Sequence, residues 1–200
     1  MSCLLDPLDR AHSERADETS RFVPCEFRVK WAATNWEREQ ALALRRAVFC
    51  AEQGIFLGDD RDAIDDHAQL LVALSCVGGA PDAVVGTVRI HADHEHDQQA
   101  AERWWGSRLA VHAAFRHHGR IGATLIRLAV SSAHARGCRE FLAHVQSQNT
   151  PMFERLRWRS LQREMLHGRP HDLMQADLAH YAPCDTPYAG FVTRSAALTA

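Results

Sequence analysis

Two arginines and two glycines precede a helix-like segment in the stretch RHHGRIGATLIRLAV, residues 116–130. A helix N-terminus exposes unpaired N–H groups and the positive end of the helix dipole, and glycine lets the backbone approach an anion closely. Arg116 and Arg120 add positive charge beside Gly119 and Gly122. A short strand, then Arg-x-x-Gly, then a helix therefore predicts a pyrophosphate-binding loop. The alternative is an ordinary strand-to-helix turn that uses glycine for its geometry alone.

The elements that must position this loop follow from hydrophobic spacing. Apolar residues from Ile121 to Ala133 recur at helical intervals, and Gly137 lies where such a helix would end. The segment 108–112 before the loop and the segment 138–146 after the helix are predicted strands. Neither a P-loop nor G-x-G-x-x-G occurs, so the usual nucleotide-binding motifs are excluded.

The rest of the chain predicts further alternating elements. Thr34 and Glu37 fit a capping box that opens a helix ending at Gly54. The predicted strands are 27–33, a hairpin of 70–77 with 83–91, and a closing pair of 159–166 with 171–178; a short helix begins near Pro151. The order β–α–β–β–β–α–β–α–β–β predicts an α/β fold with a sheet of mixed direction.

Length and composition indicate one globular domain of 200 residues with a formal net charge of −2. We expect a mobile N-terminal tail over 1–24, the domain over 25–182 and a C-terminal tail over 183–200. The charge argues against a general nucleic-acid binder, and no apolar run is long enough to span a membrane. The N-terminus lacks the pattern of a secretory signal, so a cytoplasmic protein is expected.

Cysteine and histidine usage predicts no metal site. The six cysteines are scattered without a C-x-x-C pair, which suits a reducing compartment. Thirteen histidines include those of the segment HADHEHDQQ, residues 91–99, which resembles a metal site but is interpreted as a solvated loop.

The segments VVGTVRI, LAVHAAFRHHGRIGATLI and FERLRW together resemble the GNAT superfamily of N-acetyltransferases. That resemblance implies a mixed central sheet flanked by helices, and a loop that grips the pyrophosphate of acetyl-coenzyme A. Arg116 and Gly119 fill the first two places of the family's motif. Ile121 stands where a small residue belongs and Gly122 comes one residue late, so a one-residue insertion is expected in the loop.

The resemblance also assigns the coenzyme site and the entry of its pantetheine arm. The two central strands, ending at Val111 and Val145, should splay apart. The residues expected to bind the coenzyme are Leu109, Ala110, Val111, Arg116, Gly119, Arg120, Ile121, Gly122, Ala123, Asn149 and Phe153.

The front half of the chain is similar to acyl-homoserine-lactone synthases and related amino-acid acyltransferases. Arg45 and Phe49 are four residues apart, Asp62 and Asp65 three apart, and Arg89 follows in the next hairpin. In those relatives similar residues bind the acceptor or order its pocket. We predict that the arginines and aspartates meet beside the acceptor, where they could also form an ion-pair network that holds the acidic segment 58–68.

The full pattern most resembles small GNAT proteins of bacterial nitrogen-starvation gene clusters that also encode a nitrilase. It includes VFCAEQ, WWGSRLAV, VQSQN and GRPHDLM. Trp104 and Trp105 should point to opposite faces, one into the core and one to the pocket.

Acyl transfer to an amine needs a base, because a lysine-like amine with a pKa of about 10.4 is protonated at pH 7. Phe153 stands where many family members carry a tyrosine that protonates the leaving thiolate. His171 is the first candidate base and His144 the second, although each could be an ordinary turn or sheet residue. Glu52, at the end of the first helix, is the third candidate, and it could equally be a solvated helix end.

The predicted activity is therefore N-acyl transfer from acetyl-coenzyme A to a small amine or amino acid-like molecule, without a metal and without a covalent enzyme intermediate. One alternative is an N-acyl amino-acid or lactone synthase with a longer acyl donor. Another is a coenzyme A-binding protein without catalysis. The sequence leaves the oligomeric state open, with a homodimer among the options.

Overall fold

An eight-stranded sheet organises the protein in the computed structural model, which describes residues 26–93, 102–118 and 120–195. The strands are β1 (Glu26–Trp31), β2 (Gln69–Val77), β3 (Ala80–Ala92), β4 (Arg103–Val111), β5 (Glu140–Gln146), β6 (Trp158–Leu166), β7 (Arg169–Ala176) and β8 (Phe191–Arg194). The helices are α1 (Asn35–Arg45), continued by a π-helix (Arg46–Glu52), then α2 (Ile121–His134) and α3 (Thr150–Arg155).

The strand order is β6-β7-β5-β4-β3-β2-β1-β8. All neighbouring pairs are antiparallel except β4 with β5, which are parallel. The predicted α/β sheet of mixed direction is thus confirmed, as is the order of the predicted elements. Strand β4 begins at Arg103, five residues before the predicted start, and so includes both tryptophans.

The segment expected to be a C-terminal tail contributes the edge strand β8, which pairs with β1 from Glu26↔Arg194 to Val29↔Phe191. Phe191 packs against the core. Gly190 makes this docking feasible, because a Cβ at that position would lie 1.9 Å from the carbonyl oxygen of Val29. The sheet therefore extends beyond the expected domain limit at residue 182. The expected N-terminal tail, 1–24, lies outside the described residues.

Helices cover both faces of the sheet. Helix α1 begins with the predicted capping box, in which Thr34 accepts from the Glu37 N–H and Glu37 accepts from the Thr34 N–H. One core lies between the sheet and α1, and includes Leu44, Phe49 and Val72. The second core lies on the α2 face. In the part of the chain that the structure describes, no helix has the length and apolar character needed to cross a membrane.

Helix α2 packs unusually close to β3 because Gly86 has no side chain. A Cβ at Gly86 would lie 2.9 Å from Ile121 Cγ2 and 3.0 Å from Leu125 Cδ1. Ile121 and Leu125 are both buried. This contact fixes the first turn of α2, and therefore the loop before it, against the centre of the sheet.

Candidate functional site

Strands β4 and β5 separate halfway along their length, as predicted. Their last parallel pair is Gly106↔Ala143. Beyond it β4 stays paired with β3, whereas β5 stays paired with β7. A bulge in β4 follows directly after this point: Thr87 faces Ala110 and Arg89 faces Ser107, so β4 has one residue more than β3 over the same distance. The separation opens a cleft in the middle of the sheet.

Arg108 forms the bulge with a left-handed backbone, at φ 55°. A non-glycine residue in this conformation costs free energy, so the surroundings must hold it. Its guanidinium donates to the backbone oxygen of Asp60 and to Asp62 Oδ2, and lies 4.5 Å from the ring centre of Phe56. The side chain of Arg108 thus ties the strained strand to the acidic segment.

The cleft contains a cavity of about 950 Å³. Eight of the predicted site residues line it: Phe49, Asp62, Arg89, Leu109, His144, Asn149, Phe153 and His171. Its α1 side is polar, with Asp62, Arg89 and the histidines, while its α2 side is apolar, with Ile126, Ala129, Phe141 and Trp158. One cavity therefore joins a charged chamber to a hydrophobic one through the gap between the strands.

The four predicted charged residues meet on the α1 side. Arg45 contacts Asp65 Oδ1 at 2.6 Å, and Arg89 contacts Asp65 Oδ2 at 2.9 Å and pairs with Asp62. Arg45 and Arg89 are buried almost completely. The prediction that these residues come together is confirmed, and the ion-pair network is the form the cluster takes. Their contact with an acceptor stays a prediction.

Two members of this network were missed from the sequence, Asp60 and Arg108. Asp60 is fully buried and accepts from Arg45 Nε at 2.8 Å, and its Oδ2 lies 3.1 Å from Arg108 Nε. The run GDDRDAID, residues 58–65, contains four aspartates, and the sequence does not indicate that Asp60 is the one buried most deeply. Three arginines and three aspartates thus balance in charge.

The network keeps Asp62 and Asp65 ionised. Burial alone would raise the pKa of Asp65, but hydrogen bonds from Arg45 and from the Asp62 N–H, with the charge of Arg89, lower it to about 2. The pKa of Asp62 is also lowered, because Arg89 outweighs the effect of burial. Burial and the charge of Arg89 lower the pKa of Arg108. The acidic segment is therefore held as a rigid wall of the cavity.

The predicted anion loop lies outside the cavity, at the start of α2. The hydrogen bonds of α2 begin with the Thr124 N–H, which donates to Arg120, and the helix has no side-chain N-cap bond. The N–H groups of Ile121, Gly122 and Ala123 come before that first bond and so have no acceptor within the helix, as at any helix start. Arg120 is the left-handed N-cap residue at φ 49°. Gly119 lies outside the described residues.

The irregular motif has a packing reason. Ile121 is buried against Gly86, so its side chain belongs to the core and only its backbone could meet a ligand. Gly122 follows in the first turn of α2, where a Cβ would fit: it would make an ordinary contact with Val111 Cγ2 at 3.8 Å. Which amides contact phosphates stays a prediction.

Arg116 and Glu52 form an exposed ion pair. Arg116 Nη2 donates to Glu52 Oε2 at 2.6 Å, and its Nε donates to the Val111 carbonyl oxygen. The hydrogen bond from Arg116 lowers the pKa of Glu52. Glu52 does not belong to the described lining of the cavity. The structure thus places the third candidate base beside the anion loop rather than beside the other two.

His144 is the first residue of β5 beyond the point where the strands separate. Ala143 and Val145 face the α2 core, and His144 faces the cavity on the opposite side. Its ring stacks on Trp105 with centroids 5.2 Å apart, and its Nε2 lies 2.8 Å from Glu164 Oε1. Trp104 packs against the core and Trp105 lines the cavity, as predicted.

His171, on β7, is buried and also lines the cavity. Its Nδ1 lies 2.9 Å from the Arg169 carbonyl oxygen. A carbonyl can only accept, so Nδ1 carries the proton and Nε2 is the basic nitrogen. Both predicted histidines therefore face the same chamber, and each has a ring nitrogen that could accept a proton.

Phe153 occupies the apolar side of the cavity, with its ring edge against Trp158 at 5.0 Å. Asn149 lines the cavity near the end of β5. Of the two tyrosines, Tyr181 is buried and receives a hydrogen bond from Trp158. Within the described residues, neither tyrosine contributes to the lining.

No group of three or more metal-ligating side chains occurs among the described residues, and residues 94–99 of the histidine-rich segment lie outside them. Burial raises the pKa of the Cys138 thiol to about 12. Burial, with the charges of Arg89 and His67, lowers the pKa of His91 to about 4, so this cavity residue is neutral at pH 7.

Comparisons with known proteins agree with this geometry. The model of the acetyltransferase (GNAT) family matches residues 30–156. A Bacillus subtilis (strain 168) protein named as a candidate acetyltransferase is 28% identical over 149 residues, which cover 73% of this chain and 93% of that protein. A crystal structure of a candidate N-acetyltransferase from Lactobacillus plantarum superposes with a TM-score of 0.63 at 25% identity, covering 76% of this chain and 98% of that one.

The fold is also shared with a CoA-dependent acyl-homoserine lactone synthase, BjaI, whose structure holds SAM and isopentyl-CoA. The TM-score is 0.62 at 15% identity, with 76% of this chain and 83% of that chain covered. At this identity the likeness concerns the fold alone.

Proposed function

The chain belongs to the acetyltransferase (GNAT) family, and from that premise we propose that it transfers an acetyl group from acetyl-coenzyme A to the amine of a small molecule. The observation that carries the proposal is the cleft between β4 and β5. Its chamber is lined by two histidines, His144 and His171, and the start of α2, which has no side-chain N-cap bond, follows β4 just outside it.

In this proposal the start of α2 and Arg116 bind the pyrophosphate. Amides of the first turn and a guanidinium are suited to phosphate oxygens, and each charge-assisted hydrogen bond contributes about 1.5–3 kcal/mol. The backbone of Leu109 to Val111 would bind the pantetheine arm along β4. Asn149 and Phe153 border the cavity where the thioester would lie.

The amine attacks the thioester carbon directly in the proposed mechanism. Deprotonating a lysine-like amine at pH 7 costs about 4–5 kcal/mol, and a positioned base offsets part of this cost. His144 and His171 are the proposed bases, since both line the chamber. The thioester is already activated, so no cysteine nucleophile is invoked, and the raised pKa of Cys138 fits that choice.

A longer acyl donor is the second candidate, and the apolar side of the cavity favours it. Ile126, Ala129, Phe141 and Trp158 line a space that an acetyl group would not need. Rates with acetyl- and octanoyl-coenzyme A would distinguish the donors. If the longer chain enters this space, Ala129→Leu should slow octanoyl transfer and spare acetyl transfer.

We propose an amino acid-like acceptor on the basis of charge. Arg61 is exposed, lines the cavity and has no ion-pair partner among the described residues, whereas Asp62 is neutralised by Arg89 and Arg108. A carboxylate on the acceptor would therefore find a free guanidinium. Arg45, Phe49, Asp62, Asp65 and Arg89 are proposed to shape this acceptor pocket.

A thermal-shift screen of acyl-coenzyme A species, followed by an amine panel with thiol release as readout, tests the proposed function. A ligand at 100 times its dissociation constant should stabilise the protein by about 2.7 kcal/mol. Binding of the coenzyme without thiol release for every amine would favour the non-catalytic alternative.

The proposal also covers the cellular location, the metabolic role and the assembly of the protein. We propose a cytoplasmic protein, in keeping with its unpaired cysteines at positions 50, 76, 138 and 184. We also propose a role in nitrogen metabolism from the subfamily resemblance, small-molecule partners rather than nucleic acid or membrane, and a homodimer as the assembly to test by sedimentation.

A further inference from the structure

His144 on β5 and Glu164 on β6 meet across the intervening strand β7. His144 faces Leu173 and Glu164 faces His171 in the sheet register, so the four side chains share the cavity face. His144 Nε2 lies 2.8 Å from Glu164 Oε1. On its other side, the His144 ring stacks on Trp105, whose indole N–H donates to Asp93.

The contact bears on the tautomer of His144. Glu164 Oε1 is buried without a hydrogen bond among the described residues, and His144 Nε2 approaches it to 2.8 Å without the alignment of a hydrogen bond. A small rotation of either side chain would complete the bond if Nε2 carries the proton. An ionised carboxylate only accepts, and two lone pairs 2.8 Å apart would repel each other. The contact therefore favours a proton on Nε2, which leaves Nδ1 as the basic nitrogen of a ring that lines the cavity.

The two candidate bases differ in their polar neighbours. His171 is held by the carbonyl of Arg169, a neutral dipole. His144 lies 2.8 Å from a carboxylate oxygen, which belongs to a charged group rather than a neutral dipole. The other ionisable groups that line the same cavity are Arg61, Asp62, His67, Arg89, His91, Asp93, Arg108, His167 and His171.

We infer that His144 Nδ1 is the proton acceptor of the reaction and that Glu164 is its positioning residue; the inference rests on the proposed function. As the amine nitrogen bonds to the thioester carbon, its proton passes to Nδ1. The carbon–sulfur bond then breaks, and the thiolate takes the proton of the imidazolium, directly or through a water molecule. The products are the amide and coenzyme A, and His144 returns to its neutral state.

The test combines the pH dependence of turnover with histidine NMR. The variants are Glu164→Gln, His144→Gln and, as a matched control, Glu39→Gln on the exposed face of α1. Glu164→Gln should lower kcat about 10–100-fold, the size of effect seen when a metal-bound histidine loses its outer hydrogen-bond partner, and move the acidic limb of the pH–rate profile. Acetyl-coenzyme A affinity should stay unchanged. His144→Gln should lower kcat about 10²–10⁴-fold.

Long-range ¹H–¹⁵N spectra of the free protein give a readout that needs no acceptor. The resonance lost in His144→Gln should show a protonated Nε2 and a bare Nδ1, and Glu164→Gln should abolish that preference. Full turnover with an unchanged pH profile in Glu164→Gln, or a protonated Nδ1 in the wild type, would overturn the inference. Absence of turnover in the wild type would instead overturn the proposed function, while the spectra would still decide the role of Glu164.

Discussion

Arg116 at the start of the anion loop donates a 2.6 Å hydrogen bond to Glu52 at the end of the π-helix. The pair links the segment that leads into the charged cluster with the segment that leads into α2. Both side chains are partly exposed, so the bond itself adds little stability. The ion pair matters for binding, because a phosphate that binds Arg116 must either share its guanidinium with Glu52 or displace the Glu52 carboxylate.

The first prediction concerns this competition. Arg116→Ala should weaken acetyl-coenzyme A binding by about 1.5–3 kcal/mol, the contribution of one charged hydrogen bond. Glu52→Gln should leave binding unchanged or strengthen it, because it removes a negative charge beside the phosphates. Calorimetry with both variants measures this, and Arg155→Ala, an exposed arginine on α3, is the control. Parent-like affinity in Arg116→Ala would show that Arg116 does not bind the pyrophosphate.

The second prediction concerns stability and pH. The pKa of Asp65 is about 2 in the folded protein against an ordinary 3.8, so ionised Asp65 stabilises the fold. Linkage makes this contribution roughly 2 kcal/mol, complete above about pH 4 and lost as pH falls towards 2. Asp65→Asn should therefore cost about 3–5 kcal/mol at pH 7, since it also leaves buried arginines short of charge.

Urea unfolding at pH 7 and at pH 3 measures this effect, and the cost should shrink at the lower pH. Asp66→Asn is the matched control because Asp66 is the exposed neighbour of Asp65. Its unfolding free energy should stay within about 0.5 kcal/mol of the parent's. Equal losses in the two variants would mean that the network does not stabilise the fold.

The third prediction compares the effects of alanine at two glycine positions, Gly86 and Gly122. Gly86→Ala places a methyl group 2.9 Å from Ile121 Cγ2, so α2 must shift. Such overpacking costs about 1–3 kcal/mol, and the displaced first turn should bind coenzyme more weakly. Gly122→Ala meets no atom closer than 3.8 Å and should leave the unfolding free energy unchanged or higher. Thermal unfolding of both variants checks the pair; a stable Gly86→Ala protein would contradict the packing account.

Helix starts and helix faces could be predicted from the sequence, because they depend on residues that are close together in the chain. The capping box of Thr34 and Glu37 and the spacing of α2 are of this kind. The meeting of Arg45 with Asp65 followed from family resemblance, since their spacing in the sequence gives no distance in space.

What the sequence did not reveal depends on register between distant strands. The contact of His144 with Glu164 requires β7 to lie between their strands, and no periodicity encodes that order. The strained Arg108 requires a bulge that no glycine marks. Strand β8 is four residues long, and its docking rests on Gly190, which the sequence shows merely as one glycine among eleven.

The most direct test of the account is product formation. The wild-type protein would be incubated with isotope-labelled acetyl-coenzyme A and a panel of amino acids and simple amines, with mass spectrometry of the products and thiol release measured together. The account predicts one labelled N-acetyl product in the same molar amount as the released thiol, and loss of both signals in His144→Gln. Tight coenzyme binding with no acylated amine from acetyl- or longer-chain donors would contradict it.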